Sequence, residues 1–142
     1  MKIFSPALSR LARFRYWRIE HWENDPIAAQ REVLQDLITH GQYTQFGRKY
    51  GYSDIFTIRK FKETVPIHEY EDLKPYIDQI MDGEESVLWN TPVGWFAKSS
   101  GTTDYRSKFI PVTKEALEEC HYKGGKDLLG LYYTQVPDAR PY

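Results

Sequence analysis

The chain has 142 residues, with 19 Lys plus Arg against 20 Asp plus Glu, and its formal net charge is −1. This length suits a single domain, and the balanced charge excludes a globally basic chain of the kind that binds nucleic acid. No apolar run approaches the ~20 residues that cross a bilayer, so we expect no membrane or nucleic-acid partner. The one cysteine, Cys120, excludes an internal disulfide framework and a multi-cysteine zinc site.

The N-terminal segment is basic, with no acidic residue before Glu20. Arg10, Arg13 and Arg15 interrupt every apolar stretch that could serve as a secretory signal. We interpret the segment as a first helix of a cytoplasmic protein, with leucines on one face and arginines on the other. The composition of the segment is also compatible with a mitochondrial presequence.

A helix is expected to begin at Asp25-Pro26, because an aspartate can cap free amides and proline is tolerated at the first helical position. Gly41 is expected to end it. The apolar residues with helical spacing are predicted to share one face: Ile27, Val33, Leu34, Leu37 and Ile38. Residues 44–51 carry two glycines and no clear period, so a loop is predicted there.

Two further helices are expected before the middle of the chain ends. A short one is predicted over residues 55–63, followed by an extended Val65-Pro66 pair, since proline disfavours helix in the residue before it. A longer one is predicted over residues 70–81. It begins or bends at Pro75, and Gly83 ends it.

The last third of the chain predicts a strand, a polar loop, a second strand and a helix. Residues 93–97 are expected to form a buried strand, and residues 108–112 a second strand, at an edge because of its proline. Thr113 is expected to cap the helix that follows. The residues predicted for the buried face of that helix are Leu117, Cys120, Gly124, Leu128 and Leu131. Cys120 is accordingly interpreted as a buried hydrophobe and not as a nucleophile.

The polar loop carries residue types that bind phosphate. Gly101 lets the backbone approach an anion closely, and successive amides in such a turn form an anion-binding nest. The surrounding hydroxyl donors are Ser99, Ser100, Thr102 and Thr103. Lys108 can add a positive charge. The spacing matches neither a Walker loop nor a dinucleotide fingerprint, and a cluster of small polar residues can also be an ordinary turn.

The other polar residues predict no metal site or acid–base pair. The four histidines lack metal-ligand spacing and are interpreted as structural or surface residues: His21, His40, His68 and His121. The clustered acidic residues are interpreted as solvated faces and helix-start charges. Trp95 and Phe96 could wall a ligand pocket, although core packing is the expected role of such residues.

The sequence WFAKSSGTT at residues 95–103, followed by SKFIP at 107–111, resembles the phosphate-binding loop of adenylate-forming enzymes. More narrowly, it resembles the GH3 auxin-responsive-promoter family of acyl-acid amido synthetases, in a bacterial version. Three further segments agree with that family in chain order, namely 44–50, 61–67 and 70–84.

The resemblance implies an ATP-dependent ligase that adenylates a small carboxylic acid, releases pyrophosphate, and then forms an amide with an amine or amino acid. It implies that ATP phosphates, with Mg²⁺, are cradled by Ser99, Ser100, Gly101, Thr102 and Thr103. Lys108 matches the family's lysine after the loop, and no catalytic residue is assigned. The order of the predicted elements indicates an α/β fold: N-terminal helices, then part of a mixed sheet carrying the loop, then a covering helix. The resemblance narrows this to a piece of the large N-terminal domain of an adenylate-forming fold.

Family members run to several hundred residues, so residues 1–142 are expected to be an incomplete adenylating domain without the C-terminal domain, and inactive alone. Two alternatives stay open. One is a fragment of another adenylate-forming ligase, such as an acyl-CoA ligase. The other is a non-catalytic helical interaction or binding module in which the loop is merely a turn. The sequence predicts neither the acyl and amine substrates nor the oligomeric state.

Overall fold

The structure is a computed structural model that describes residues 14–17, 19–99 and 107–136. Helices come first, a small sheet follows, and further helix ends the described chain, so the predicted α/β class is confirmed. None of the helices within these ranges combines the length and the hydropathy that a bilayer crossing requires.

The elements follow one another in a simple order. The helices are α1 (Pro26–Gly41), α2 (Gln45–Lys49), α3 (Ile58–Thr64), α4 (Tyr70–Met81) and α5 (Lys123–Gln135). The strands are β1 (Val93–Lys98) and β2 (Phe109–Thr113). A 3₁₀ turn at Tyr52–Asp54 follows α2, and a π-helix at Ala116–Tyr122 precedes α5.

The described residues form two compact units, one of Gln30–Lys114 and one of the described parts of 1–29 and 115–142. In the second unit, residues 14–17 and 19–24 are helical. There the Arg15 guanidinium pairs with the Asp127 carboxylate, and its Nη2 donates to the Lys123 carbonyl oxygen at 3.2 Å. One of the basic residues of the N-terminal segment is therefore a structural ion-pair partner.

Helix α1 begins and ends where the sequence predicts. The Ala28 N–H donates to Asp25 Oδ1 at 2.9 Å, so the aspartate caps the helix, and the last helical residue is Gly41. Its predicted apolar face is only partly covered. Ile38 is buried, whereas Ile27, Val33 and Leu37 are exposed.

The loop predicted at residues 44–51 is wrong, because Gln45–Lys49 forms the short helix α2. Thr44 caps this helix. Its Oγ1 accepts the Gly47 N–H at 2.9 Å and donates to the Gly41 carbonyl oxygen at 2.7 Å. One hydroxyl thus satisfies a free amide and a free carbonyl at two adjacent helix ends.

The remaining free amides at the start of α2 find partners far along the chain. The Gln45 N–H donates to the Ser86 carbonyl oxygen at 2.8 Å, and the Phe46 N–H donates to the Val87 carbonyl oxygen at 3.0 Å. A five-residue helix gains little stability from its own hydrogen bonds. These distant partners explain why local periodicity did not reveal the helix.

The buried core of the larger unit is small. Its buried hydrophobic residues are Ile38, Ile55, Ile77 and Val87. Gly47 belongs to the same region, where a Cβ at that position would lie 2.0 Å from the Gly41 carbonyl oxygen. Only a glycine lets α2 approach the end of α1 this closely.

Helix α4 occupies the predicted range of residues 70–81. Pro75 lies inside the helix and does not start it. At the N-terminus the Glu69 N–H donates to Asp72 Oδ2 at 2.8 Å. After the C-terminus Gly83 adopts a positive φ of 94°, a conformation that favours glycine and ends the helix as predicted.

Strands β1 and β2 form an antiparallel pair in which Phe96 faces Pro111 and Lys98 faces Phe109. Both predicted strands are confirmed, but the expected burial of the first is wrong, since the Trp95 side chain is 55% exposed. Within the described ranges the sheet has two strands, and a two-stranded sheet leaves much of its surface uncovered. Core packing is therefore not the role of Trp95 here.

The expected burial of Cys120 is also wrong, because this residue is exposed. The reason is the π-helix at Ala116–Tyr122, whose i→i+5 bonds place more residues in each turn than an α-helix does. A spacing of 3.6 residues therefore does not keep Leu117 and Leu128 on one face. Leu128, beyond the π-helix, is exposed.

Candidate functional site

The β1–β2 hairpin brings Ser99 and Lys108 together at the two ends of the polar loop. The Ser99 N–H donates to the Lys108 carbonyl oxygen at 2.9 Å. The Lys108 N–H donates back to Ser99 Oγ at 3.1 Å. These reciprocal bonds close the base of the loop, so two of the six sequence-predicted phosphate-binding residues lie side by side.

The other four predicted residues, Ser100, Gly101, Thr102 and Thr103, lie outside the described residues. Their contacts with phosphate stay a prediction. The structure shows an antiparallel pair of strands with hydrogen bonds between Ser99 and Lys108.

Tyr70 adds a third side chain to the base of the loop. Its hydroxyl oxygen accepts the Phe109 N–H at 3.0 Å. Its ring centroid lies 5.3 Å from Lys108 Nζ. Sequence reasoning placed Tyr70 at the start of a helix and missed this contact, which joins residues 39 positions apart in the chain.

A cleft of about 480 Å³ lies between α4 and the start of β2. Its charged lining residues are Glu71, Lys74, Asp78 and Lys108. Lys74 Nζ donates to Asp78 Oδ2 at 2.5 Å, and this hydrogen bond raises the pKa of Lys74 above 10.5. Lys74 is thus neutralised by a neighbour, whereas within the described ranges no ion pair with a carboxylate is formed by Lys108.

The histidines of the described ranges make side-chain contacts or lie at the surface. His68 Nε2 lies 2.8 Å from Tyr50 Oη, and the His40 ring stacks on Trp89 at 5.5 Å between centroids. Across residues 14–17, 19–99 and 107–136 there is no group of three or more His, Cys, Asp or Glu side chains that could hold a metal ion.

Comparison with solved structures identifies the class of protein. The chain is similar to a structure described as AtGH3.15 acyl acid amido synthetase in complex with 2,4-DB, with a TM-score of 0.66 and 30% sequence identity. The match covers 74% of this chain and 18% of that one. The described fold is therefore part of an adenylate-forming fold.

The family follows from the sequence itself. The profile of the GH3 family N-terminal domain matches residues 15–140, so the chain belongs to the GH3 family. The resemblance read from the loop and the three flanking segments is thereby confirmed.

Curated relatives are named as synthetases of amino acid conjugates or as amido synthetases. Indole-3-acetic acid-amido synthetase GH3.2 of Arabidopsis thaliana is 33% identical over 101 residues, which cover 70% of this chain and 18% of that protein. Jasmonoyl--L-amino acid synthetase JAR4 of Nicotiana attenuata is 34% identical over 90 residues, covering 63% and 16%. The chain thus spans less than a fifth of the length of these two relatives.

Proposed function

We propose that this chain is the N-terminal part of the adenylating domain of an ATP-dependent acyl-acid amido synthetase that acts in the cytoplasm. One observation carries the proposal: the hairpin closed by Ser99 and Lys108 holds the SSGTT loop within the segment that matches the GH3 family. A loop fixed at both ends can hold its hydrogen-bond donors in place before ATP binds. Donors that are already in position lower the entropic cost of orienting the phosphates for reaction.

The residues at the base of the loop suit a phosphate ligand. A hydroxyl that accepts one hydrogen bond keeps its own O–H to donate, so Ser99 can bond the Lys108 amide and a phosphate oxygen together. Lys108 brings an ammonium group with three donors. With Mg²⁺, these two would hold the ATP phosphates together with the remaining loop residues Ser100, Gly101, Thr102 and Thr103. Their contribution is electrostatic, and the bound magnesium supplies further charge neutralisation.

The substrates follow from the relatives. One relative is named for indole-3-acetic acid and the other for a jasmonoyl–amino acid. We therefore propose a small carboxylic acid as the acyl substrate and an amine or amino acid as the acceptor. These names favour amide formation over thioester formation by an acyl-CoA ligase. Because the match covers 18% of the first relative, catalysis requires ligase segments outside the matched region, and the 142-residue chain alone is expected to be inactive.

The test is an assay of the complete ligase that contains this segment. Pyrophosphate release from ATP is measured with a panel of carboxylic acids, and amide products are identified by mass spectrometry after amino acids are added. We expect acid-dependent pyrophosphate release and an amide product, both lost in Gly101→Val because a β-branched side chain blocks close approach of the backbone to phosphate.

The control is Gly94→Val, a glycine of the same hairpin where a Cβ would meet nothing within 4 Å. A thioester with coenzyme A in place of an amide would support the acyl-CoA ligase alternative. No ATP turnover with any acid, together with no effect of Gly101→Val, would support the interaction-module alternative.

A further inference from the structure

The start of helix α4 places one aromatic side chain beside the exit of the loop. Tyr70 is the first residue of α4, and the hydrogen bond from the Glu69 N–H to Asp72 Oδ2, 2.8 Å long, fixes the backbone there. A capped first turn has a defined conformation. The backbone position of Tyr70 is therefore set by the helix.

The Tyr70 hydroxyl holds the strand that leaves the loop. Lys108 directs both its N–H and its carbonyl oxygen toward Ser99, so the next amide, that of Phe109, points away from β1. The Tyr70 hydroxyl accepts this N–H at 3.0 Å in a partly buried position. Without it a partly buried amide would lose its partner.

The Tyr70 ring holds the side chain of Lys108. The ammonium nitrogen lies 5.3 Å from the ring centroid, within the range in which the ring quadrupole attracts a cation. Lysine has a flexible four-carbon stem, so such a contact restricts where its charge lies. A ring attracts the charge without acting as a strong hydrogen-bond acceptor, so the N–H donors of the ammonium stay available to an anion.

We propose that Tyr70 is a positioning residue for Lys108, holding its backbone through the Phe109 amide and its ammonium through the ring. The proposal rests on the proposed function, because it assigns the held ammonium to the phosphates of ATP. Tyr76 of the same helix α4 offers a comparison: Lys49 of α2 donates its Nζ to Tyr76 Oη at 2.8 Å and lies 5.4 Å from the centroid of that ring.

The test compares three variants of the complete ligase that contains this chain: Tyr70→Leu, Tyr70→Phe and the matched control Tyr76→Phe. Two properties are measured, the affinity for MgATP by calorimetry and the ring-current shift of the Lys108 ε-methylene protons by NMR. Circular dichroism establishes that each variant is folded. The NMR shift reports whether the Tyr70 ring contacts the Lys108 side chain when no ATP is bound. A substitution that only destabilised the fold would not change this shift by itself.

Tyr70→Leu is expected to abolish the ring-current shift and to weaken MgATP binding by roughly three- to tenfold, the range that a cation–ring contact corresponds to. Tyr70→Phe keeps the ring, so the shift is retained and affinity is largely rescued, while hydrogen exchange at the Phe109 amide becomes faster. Tyr76→Phe is expected to change neither property.

Three results would overturn the proposal. The first is an absent ring-current shift in the parent chain, which would leave the proposed function untouched. The second is an unchanged MgATP affinity in a folded Tyr70→Leu variant. The third is a normal shift in a parent chain that does not bind MgATP. That last result would contradict the proposed function, and with it the assignment of the Lys108 ammonium to the phosphates of ATP.

Discussion

Two regions of the larger unit contrast in how they are held. Around Gly47 the backbones of α2 and α1 are so close that a Cβ would lie 2.0 Å from a carbonyl oxygen, and Thr44 between them is fully buried. The β1–β2 hairpin is open, with Trp95 and Ile110 exposed, and hydrogen bonds hold it at its base. We call the first region, from Gly41 to Gly47, the packed turn. The contrast indicates that folding stability depends mainly on the packed turn, whereas the position of the candidate loop depends on few contacts.

The largest effect on stability is expected at Gly47. Gly47→Ala forces a methyl group into the Gly41 carbonyl and should lower the free energy of unfolding by about 3 kcal/mol, because backbone cannot move aside cheaply. The control is Gly94→Ala in the hairpin, where the new methyl meets open space. Urea unfolding measures both. Equal losses in the two variants would remove the contrast between the regions.

A smaller effect is expected from the cap of α2. Thr44→Ala removes a buried hydroxyl that bonds both Gly41 and Gly47, and should cost about 2 kcal/mol. Thr57→Ala is the matched control, since Thr57 caps α3 through the Lys60 N–H at an exposed site and should cost about 1 kcal/mol or less. Thermal unfolding of the two variants measures the difference. A larger loss from Thr57→Ala would show that burial of the cap does not matter.

In the hairpin we expect a substitution to cost little folding stability and more MgATP affinity. Ser99→Ala deletes the acceptor of the Lys108 N–H and should cost about 1 kcal/mol or less of stability. It should also weaken MgATP binding about tenfold, since a hydroxyl donor to phosphate is lost as well. Calorimetry on the folded variant measures the affinity. A stability loss as large as that of Gly47→Ala would contradict the assignment of the hairpin to function.

The smallest effect is expected in the pH dependence of folding stability, through Tyr52 beside the packed turn. Burial raises the pKa of Tyr52 above 10.0. The unfolded chain therefore loses the Tyr52 proton before the folded chain does, so the stability from this group is present below pH 10.0 and declines as pH rises through the folded pKa. Urea unfolding above pH 10 should show a shallower decline in Tyr52→Phe than in the parent or in the exposed-site control Tyr43→Phe. Identical profiles would contradict burial as the cause.

Local signals in the sequence predicted most of the elements. Asp25-Pro26 and Gly83 mark helix ends through capping and a positive φ, and both act within a few residues, so they could be read from the sequence. Helix α2 could not be predicted, because its first amides bond carbonyl groups some forty residues away. The burial of Cys120 was wrong because a π-helix changes the number of residues in a turn.

The candidate site divides in the same way. Ser99 and Lys108 were predicted from residue type and from the strand–loop–strand pattern, and the hairpin brings them together. Tyr70 was not assigned to the site, because its contact with Phe109 depends on how α4 packs against β2 and not on any local spacing. Residues that hold a site in place from another element are harder to find than the residues that form it.

The most direct test of the central claim is a calorimetric titration with MgATP of the complete ligase that contains this chain, comparing the parent, Gly101→Val and Gly94→Val. The account predicts that the parent and Gly94→Val bind alike, and that Gly101→Val stays folded but binds at least about tenfold more weakly, because the loop backbone no longer reaches the phosphates. Equal affinity in the parent and Gly101→Val would contradict the phosphate-binding role of the loop.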